Sequence, residues 1–297
     1  MKIPSESYQT IYDQYSEAIA WMDTIGVNLG KGRTSHYDKV LGYWKDNYDT
    51  APNEEAKTNL PDFISSIFEI HEFITVHESL KIIHPKKLSS IAIKLQKAVN
   101  GPIKSSDESA KSTAARNFLF EAIVAAKAHN PAKGASTILD ARSDTGVYFH
   151  DKKIWIECKR VTSLEGIEKN VRKACNQLKN VFAKNIGSSH RGLVALDVSK
   201  ILNNGDGLLV RENDAELYKT VSNITESFIK DHSEIWQRIF SEKHQKIIGL
   251  ILRTSYMAIS EERNLFVHVA DYGVNPKNGI SESNSALQRS LVEALNS

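Results

Sequence analysis

Two short apolar runs joined by a polar turn constrain this chain more than any other stretch. The first is Asp144-Thr-Gly-Val-Tyr-Phe149, the turn is His150-Asp-Lys-Lys153, and the second is Ile154-Trp-Ile-Glu-Cys-Lys159, followed by Arg160. Runs of this length and residue type, broken by a polar turn, read as adjacent strands. Side chains alternate along a strand, so Glu157 and Lys159 fall on one face and Cys158 on the other. Asp144 opens the neighbouring strand. A sheet is therefore required here, with its charged residues gathered at one end.

The elements around the hairpin set the fold class. Upstream, apolar residues recur at helical spacing in Tyr8 to Met22, Tyr37 to Trp44 and Phe63 to Ile74, and a fourth helix is expected over Leu88 to Val99. Asn100-Gly-Pro and Lys104-Ser-Ser-Asp then look like a helix stop and a linker. The expected organisation is an all-helical N-terminal domain over 1–105 and an α/β domain over 106–297. Within the latter, a helix from Glu108 to His129 leads into strands at Gly134 to Asp140, Asp144 to Phe149 and Ile154 to Lys159. A helix from Ser163 to Lys184, a buried strand from Gly192, a helix over Asp214 to Phe240, and strands at Ile247 to Leu252 and Leu265 to Val269 follow. Such an order predicts a mixed sheet flanked by helices.

Composition narrows the class. At 297 residues the chain is long enough for a large core and for two domains, since single cores rarely grow past about 250 to 300 residues. With 41% hydrophobic and 25% charged residues it is ordinary for a globular protein. The opening MKIPSESYQT has no apolar signal core and no apolar run nears the roughly 20 residues of a membrane span, so a cytoplasmic protein without membrane contact is expected. Two cysteines, Cys158 and Cys175, are too few for a disulfide framework or a thiolate zinc site.

The net charge of +2 hides an uneven distribution. Residues 1–78 hold 6 basic and 13 acidic side chains, 81–104 hold 6 Lys and no acid, and 152–200 hold 11 basic and 4 acidic. Basic excess beside the Glu-x-Lys strand and along the next helix suits a phosphate backbone as partner. On that helix Lys169, Lys173 and Gln177 form one i, i+4 row with Arg172 beside it; a merely solvated basic face is the competing reading.

The helix before the strands adds a clue. Phe118 to Ala126 is apolar except for Glu121, and a carboxylate on such a face needs a salt bridge, a metal or water. Glu121, Asp144 and Glu157-Cys158-Lys159, in this order across a helix and two strands, resemble the PD-(D/E)XK nuclease superfamily, with its restriction-endonuclease-like fold. The resemblance spans about residues 108–200. Ser143 stands where the family usually has a proline, and Asp140 competes with Asp144 for the place of the strand acid. Glu55-Ala-Lys57 and Asp151-Lys-Lys153 repeat the tripeptide pattern outside that context.

The resemblance implies a catalytic set of Glu121, Asp144, Glu157 and Lys159. It implies Mg²⁺, replaceable by Mn²⁺, held by the carboxylates of Asp144 and Glu157 and the backbone carbonyl of Cys158, with Glu121 completing the site. Lys159 would orient the attacking water or contact the scissile phosphate, and Arg160, Lys169, Arg172, Lys173 and Gln177 would contact nucleic acid. The implied activity is DNA hydrolysis, as an endonuclease in restriction or phage defence; the alternatives are a catalytically idle binding module and an RNA-directed nuclease. Cutting both strands favours a homodimer, and the acidic residues 1–78 suit self-association or a protein partner better than DNA, while Lys81 to Lys104, at the end of the helical domain, are candidates to reach phosphates. Gly26 to Thr34 has the wrong spacing for a phosphate loop, and His71 and His77 lie too far apart for a helical metal pair.

Overall fold

The computed structural model describes residues 7–30, 32–47, 50, 52–109, 111–139, 143–203 and 207–297. Four helices open the chain: α1 (Tyr8–Thr24), α2 (Arg33–Asn47), α3 (Asn53–Leu80) and α4 (Ser89–Ala98). Their apolar stripes meet in one cluster, with Tyr15, Tyr37, Ile67, Ile70 and Leu95 almost fully buried. The same cluster takes in Leu119, Ala122 and Ile123 of α5 (Ala114–Lys127) and Met257 of a later strand. The expected boundary near 105 thus lies in a loop between two segments that share a core.

The helix expected from Glu108 begins only at Ala114. Glu108 itself turns inward, where its carboxylate accepts from Arg160 Nε at 3.0 Å and from Thr113 Oγ1 at 2.5 Å. An inward-bound acid at that position holds the segment as a polar loop.

After α5 come β1 (Ala135–Ile138), β2 (Thr145–Phe149), β3 (Lys152–Arg160), α6 (Gly166–Lys184), β4 (His190–Asp197), α7 (Ser199–Asn203) and β5 (Leu208–Arg211). The chain continues with α8 (Asp214–Ser241), β6 (Ile247–Ser260), β7 (Leu265–Pro276) and α9 (Glu282–Leu295). The strands form a mixed seven-stranded sheet in the order β1-β2-β3-β4-β6-β5, with β7 pairing β6. β1, β2 and β3 are antiparallel neighbours; β3, β4 and β6 run parallel. β4 pairs the first half of β6 and β5 the last four residues of β6, while β7 runs along the other edge. The chain is therefore α/β with a curled mixed sheet. Among the described residues, no helix is long and apolar enough to cross a membrane.

Helices cover both faces of the sheet. On one, α6 and α8 pack on Trp155, Val194, Leu196, Leu250 and Leu252. On the other, Phe120 and Val124 of α5 and Leu291 and Leu295 of α9 pack on Ile154, Ile156, Cys158 and Ala195. The register of β2 and β3 pairs Thr145 with Ile156, so Asp144 follows the ladder's last pair on the side of Glu157. Gly192 brings α6 close to β4: a Cβ there would stand 2.7 Å from Phe182.

β6 and β7 run far beyond the expected strands. Arg253, Thr254 and Ser255 are buried in β6, where each finds a partner. Arg253 binds Glu72 and Asp197, Thr254 Oγ1 lies 2.5 Å from Thr225 Oγ1, and Ser255 N donates to Ser199 Oγ at 3.0 Å. A satisfied polar interior costs little, so the strand continues where its apolar pattern stops.

Candidate metal centre and nucleic-acid interface

β3 builds the site by simple alternation. Trp155 packs under α6, Glu157 and Lys159 share that parity at the C-terminal end of the strand, and Cys158 points into the opposite core with its thiol pushed well up by burial. Asp144 reaches across from the start of β2. Its Oδ2 accepts from Cys158 N at 2.9 Å and from Lys159 Nζ at 2.8 Å. Lys159 Nζ also donates to the Cys158 carbonyl at 2.8 Å and lies 3.5 Å from Glu157 Oε2. The ammonium thus gathers the three oxygens expected to ligate a metal.

Glu157 and Glu121 resist ionisation. Burial, and then the charge of Asp144, push the Glu157 carboxyl up to about 8 against the pull of Lys159. Glu157 Oε2 is buried and accepts no hydrogen bond. Burial and Asp144 likewise raise Glu121 to about 7, against the pull of Lys94. Although burial disfavours its charge, Asp144 and Glu157 hold the Lys159 ammonium above its usual range.

Glu121 is buried in α5 and bound on both oxygens. Asn117 Nδ2 donates to one at 2.8 Å, and Lys94 Nζ from α4 pairs with the other. Asn117 and the Thr145 hydroxyl, which donates to the Glu121 carbonyl at 3.1 Å, adjoin the site without having been expected from sequence, and Lys94, from the Lys81 to Lys104 segment expected only to reach phosphates, is the salt-bridge partner of Glu121. Two signals existed: Lys94 lies in the acid-free basic segment, and Asn117 stands one turn before Glu121. Asp140 lies outside the described residues.

A cleft of about 560 Å³ opens at the acids, lined by Ser143, Asp144, Glu157, Gln177, Asn180 and Lys184. Gln177 is there as expected, with a buried Oε1 that has no partner; Asn180 and Lys184 join it from the same helix. Lys173 and Lys169 are exposed one and two turns further back on the row. A smaller cleft on the far side of Asp144 is lined by Lys94, Lys97, Phe118 and Thr145. Basic residues therefore flank the acids from α6 and from α4.

One expected contact is corrected. Arg160 is buried, with its guanidinium held by Glu108 at 3.0 Å and by Asp197 at 2.6 Å, so it is a core ion pair and not a surface for nucleic acid. Arg172 is half-exposed but engaged by Glu168 at 2.9 Å and Glu242 at 3.3 Å. The alternation that put Lys159 at the site put its neighbour Arg160 inside.

Asp144, Glu157 and the Cys158 carbonyl are hard oxygen donors of the kind that suit Mg²⁺ or Mn²⁺, one carboxylate oxygen among them has no hydrogen bond, and the point on which they converge is filled by the Lys159 ammonium. Elsewhere, the described residues bring ligand atoms of Glu17, His77 and Glu78 within 4.8 Å of one another, but Lys81 already binds Glu78 at 2.8 Å. No family model, no curated protein and no solved structure matches the chain.

Proposed function

We propose that this chain is a Mg²⁺-dependent nuclease of the PD-(D/E)XK type, with a restriction-endonuclease-like α/β core, that hydrolyses DNA as an endonuclease. The observation that carries the reading is the convergence of Asp144 Oδ2, the Cys158 carbonyl and Glu157 Oε2 on one cation position, at distances of 2.8, 2.8 and 3.5 Å from the Lys159 ammonium. Mg²⁺ at that point would offset the phosphate charge and activate a water. Asp144 and Glu157 supply the ligand charge, and the Cys158 carbonyl a neutral oxygen. Lys159 brings three donors and a positive charge for orienting the attacking water or contacting the scissile phosphate. Gln177, Asn180 and Lys184 along the cleft, with Lys173 and Lys169 beyond them, give a backbone a row of contacts. A restriction or phage-defence setting, and a dimer that cuts both strands, follow from the same reading.

One observation favours a second reading. Lys159 already satisfies Asp144, and Lys94 already satisfies Glu121, as in a site that has closed on itself and serves only binding. Cleavage of supercoiled, linear and single-stranded DNA and of RNA, with Mg²⁺, decides between the two. Wild type is expected to nick or cut DNA, while Glu157→Ala and Lys159→Ala lose the activity. Intact substrates throughout, or variants that cut as well as wild type, contradict the proposal; cleavage of RNA alone redirects it to an RNA nuclease.

A further inference from the structure

The smaller cleft on the α4 side of Asp144, of about 200 Å³, differs in chemistry from the one under α6. Both reach Asp144, but the α6 cleft is lined mainly by amides and charged groups, which suit phosphate and sugar. The walls of the other are apolar: Ile93 of α4, Phe118 of α5, Ile138 of β1 and Leu139 directly after it. Ile93 is 59% exposed and the other three are half-buried. Apolar side chains gathered at the surface beside a charged site mark a contact for a partner.

The surrounding charge says what that partner is. α4 lies in the segment 81–104, which carries six lysines and no acid. Lys97 stands at the mouth of the cleft, with its ammonium 4.4 Å from the centre of the Phe118 ring, and among the described residues it pairs with no carboxylate. Lys94 beside it is held by Glu121. Among the described residues that line the cleft, Asp144 at its inner end is the one carboxylate. An occupant therefore has an apolar body inside the cleft and negative charge outside it, next to Lys97. A nucleobase on its backbone has this form: its π-faces pack on apolar and aromatic side chains, and its phosphate lies within reach of a lysine.

In a duplex the bases are stacked and paired, and a side chain reaches their faces only once the base has left the stack. We infer that this cleft takes an unpaired base next to the scissile phosphate, so that the substrate is DNA that is single-stranded or locally unpaired at the cut. Ile93, Phe118, Ile138 and Leu139 hold the base, and Lys97 its phosphate. The inference rests on the nuclease reading of the acids, since a phosphate held at Asp144 is what brings the neighbouring base to the cleft.

Fluorescence anisotropy of the full chain with three labelled ligands tests it. They are a thymidine strand of about 12 nucleotides, within the span of a single-strand site, a duplex of the same length, and a sugar–phosphate strand of the same length without bases. A chelator keeps them uncut, so binding is read apart from cleavage. The thymidine strand is expected to bind about tenfold tighter than the base-free strand, the effect of one well-packed base, and tighter than the duplex. Ile93→Ser, at an exposed helix position, is expected to reduce that advantage about threefold or more, with an unchanged circular dichroism spectrum. Lys97→Gln is expected to weaken both single strands alike and to lower the salt slope by about 0.7. Equal affinity for the strands with and without bases, or an Ile93→Ser protein that keeps the full advantage, overturns the inference. A protein that shows the preference yet cuts no DNA with Mg²⁺ supports the base cleft and contradicts the nuclease reading; one that cuts DNA without the preference does the reverse.

Discussion

Glu157 is the residue on which the site turns. Its carboxylate is 2% exposed, faces Asp144, and leaves one oxygen without a partner. In the metal-free protein this is a liability, because burial and a like charge both penalise ionisation, and a carboxyl raised to about 8 is unfavourable to hold ionised. Glu157→Gln removes the charge at nearly constant volume. At pH 8 the metal-free variant is expected to be more stable than wild type by about 1 kcal/mol or more, since a tenfold change in an ionisation equilibrium corresponds to about 1.4 kcal/mol. Chemical denaturation in the presence of a chelator measures it. Equal or lower stability would mean that Glu157 is comfortable as it stands and has no need of a cation.

Helix α6 shows what an element adds to its residues. Its apolar stripe, from Ile167 to Phe182, is buried against the sheet, and the opposite row brings Gln177, Asn180 and Lys184 over the acids. Replacing Lys169, Lys173 and Lys184 together by alanine is expected to weaken binding to DNA and to flatten its salt dependence by about one in slope for each phosphate that is no longer neutralised. Arg160→Met is expected instead to destabilise the fold by about 3 kcal/mol, because it leaves Glu108 buried without its cation and Asp197 with Arg253 alone. Titrations at several salt concentrations, beside denaturation curves, separate the two roles. An unchanged slope in the triple variant would remove α6 from the interface.

Elements with one strong period were legible from sequence: α6, the β2–β3 hairpin and the helices of the first hundred residues stand where their apolar spacing puts them. What spacing does not carry is the third dimension. The second halves of β6 and β7 hide behind buried Arg253, Thr254 and Asp271, whose partners are far away in sequence. Arg160 looks as exposed as Lys159 until β4 supplies Asp197. Glu121 was legible as a buried acid in need of a partner, but Lys94, 27 residues earlier, had no signal of its own beyond its charge. α9 begins at an ordinary cap, with Ser281 accepting from Asn284 N, yet nothing local says that it covers the back of the sheet.

Across the molecule, a chain of buried ion pairs ties the N-terminal helices to the strand that bears the site. Arg33 and Arg116 both bind Glu69 of α3, at 2.9 and 2.5 Å; Glu72, one turn on, binds Arg253; Arg253 shares Asp197 with Arg160; and Arg160 is the residue after Lys159. Lys94 reaches Glu121 from α4 in the same way. The helical segment is thus part of the frame of the site and not a separate appendage to it. Around that frame, Glu157 carries a pKa raised to about 8, and a cation bound as proposed needs it ionised. Binding must therefore expel its proton, and affinity must rise with pH up to that value.

Calorimetric titration of Mn²⁺ into the chelator-treated protein reads this directly, at pH 6 and at pH 8 and in buffers of different ionisation enthalpy. One site is expected, tighter at pH 8 than at pH 6, with a buffer-dependent heat of proton release, and lost in Glu157→Gln. Absence of binding, or binding indifferent to pH and to Glu157, would contradict the assignment of these acids as a metal centre.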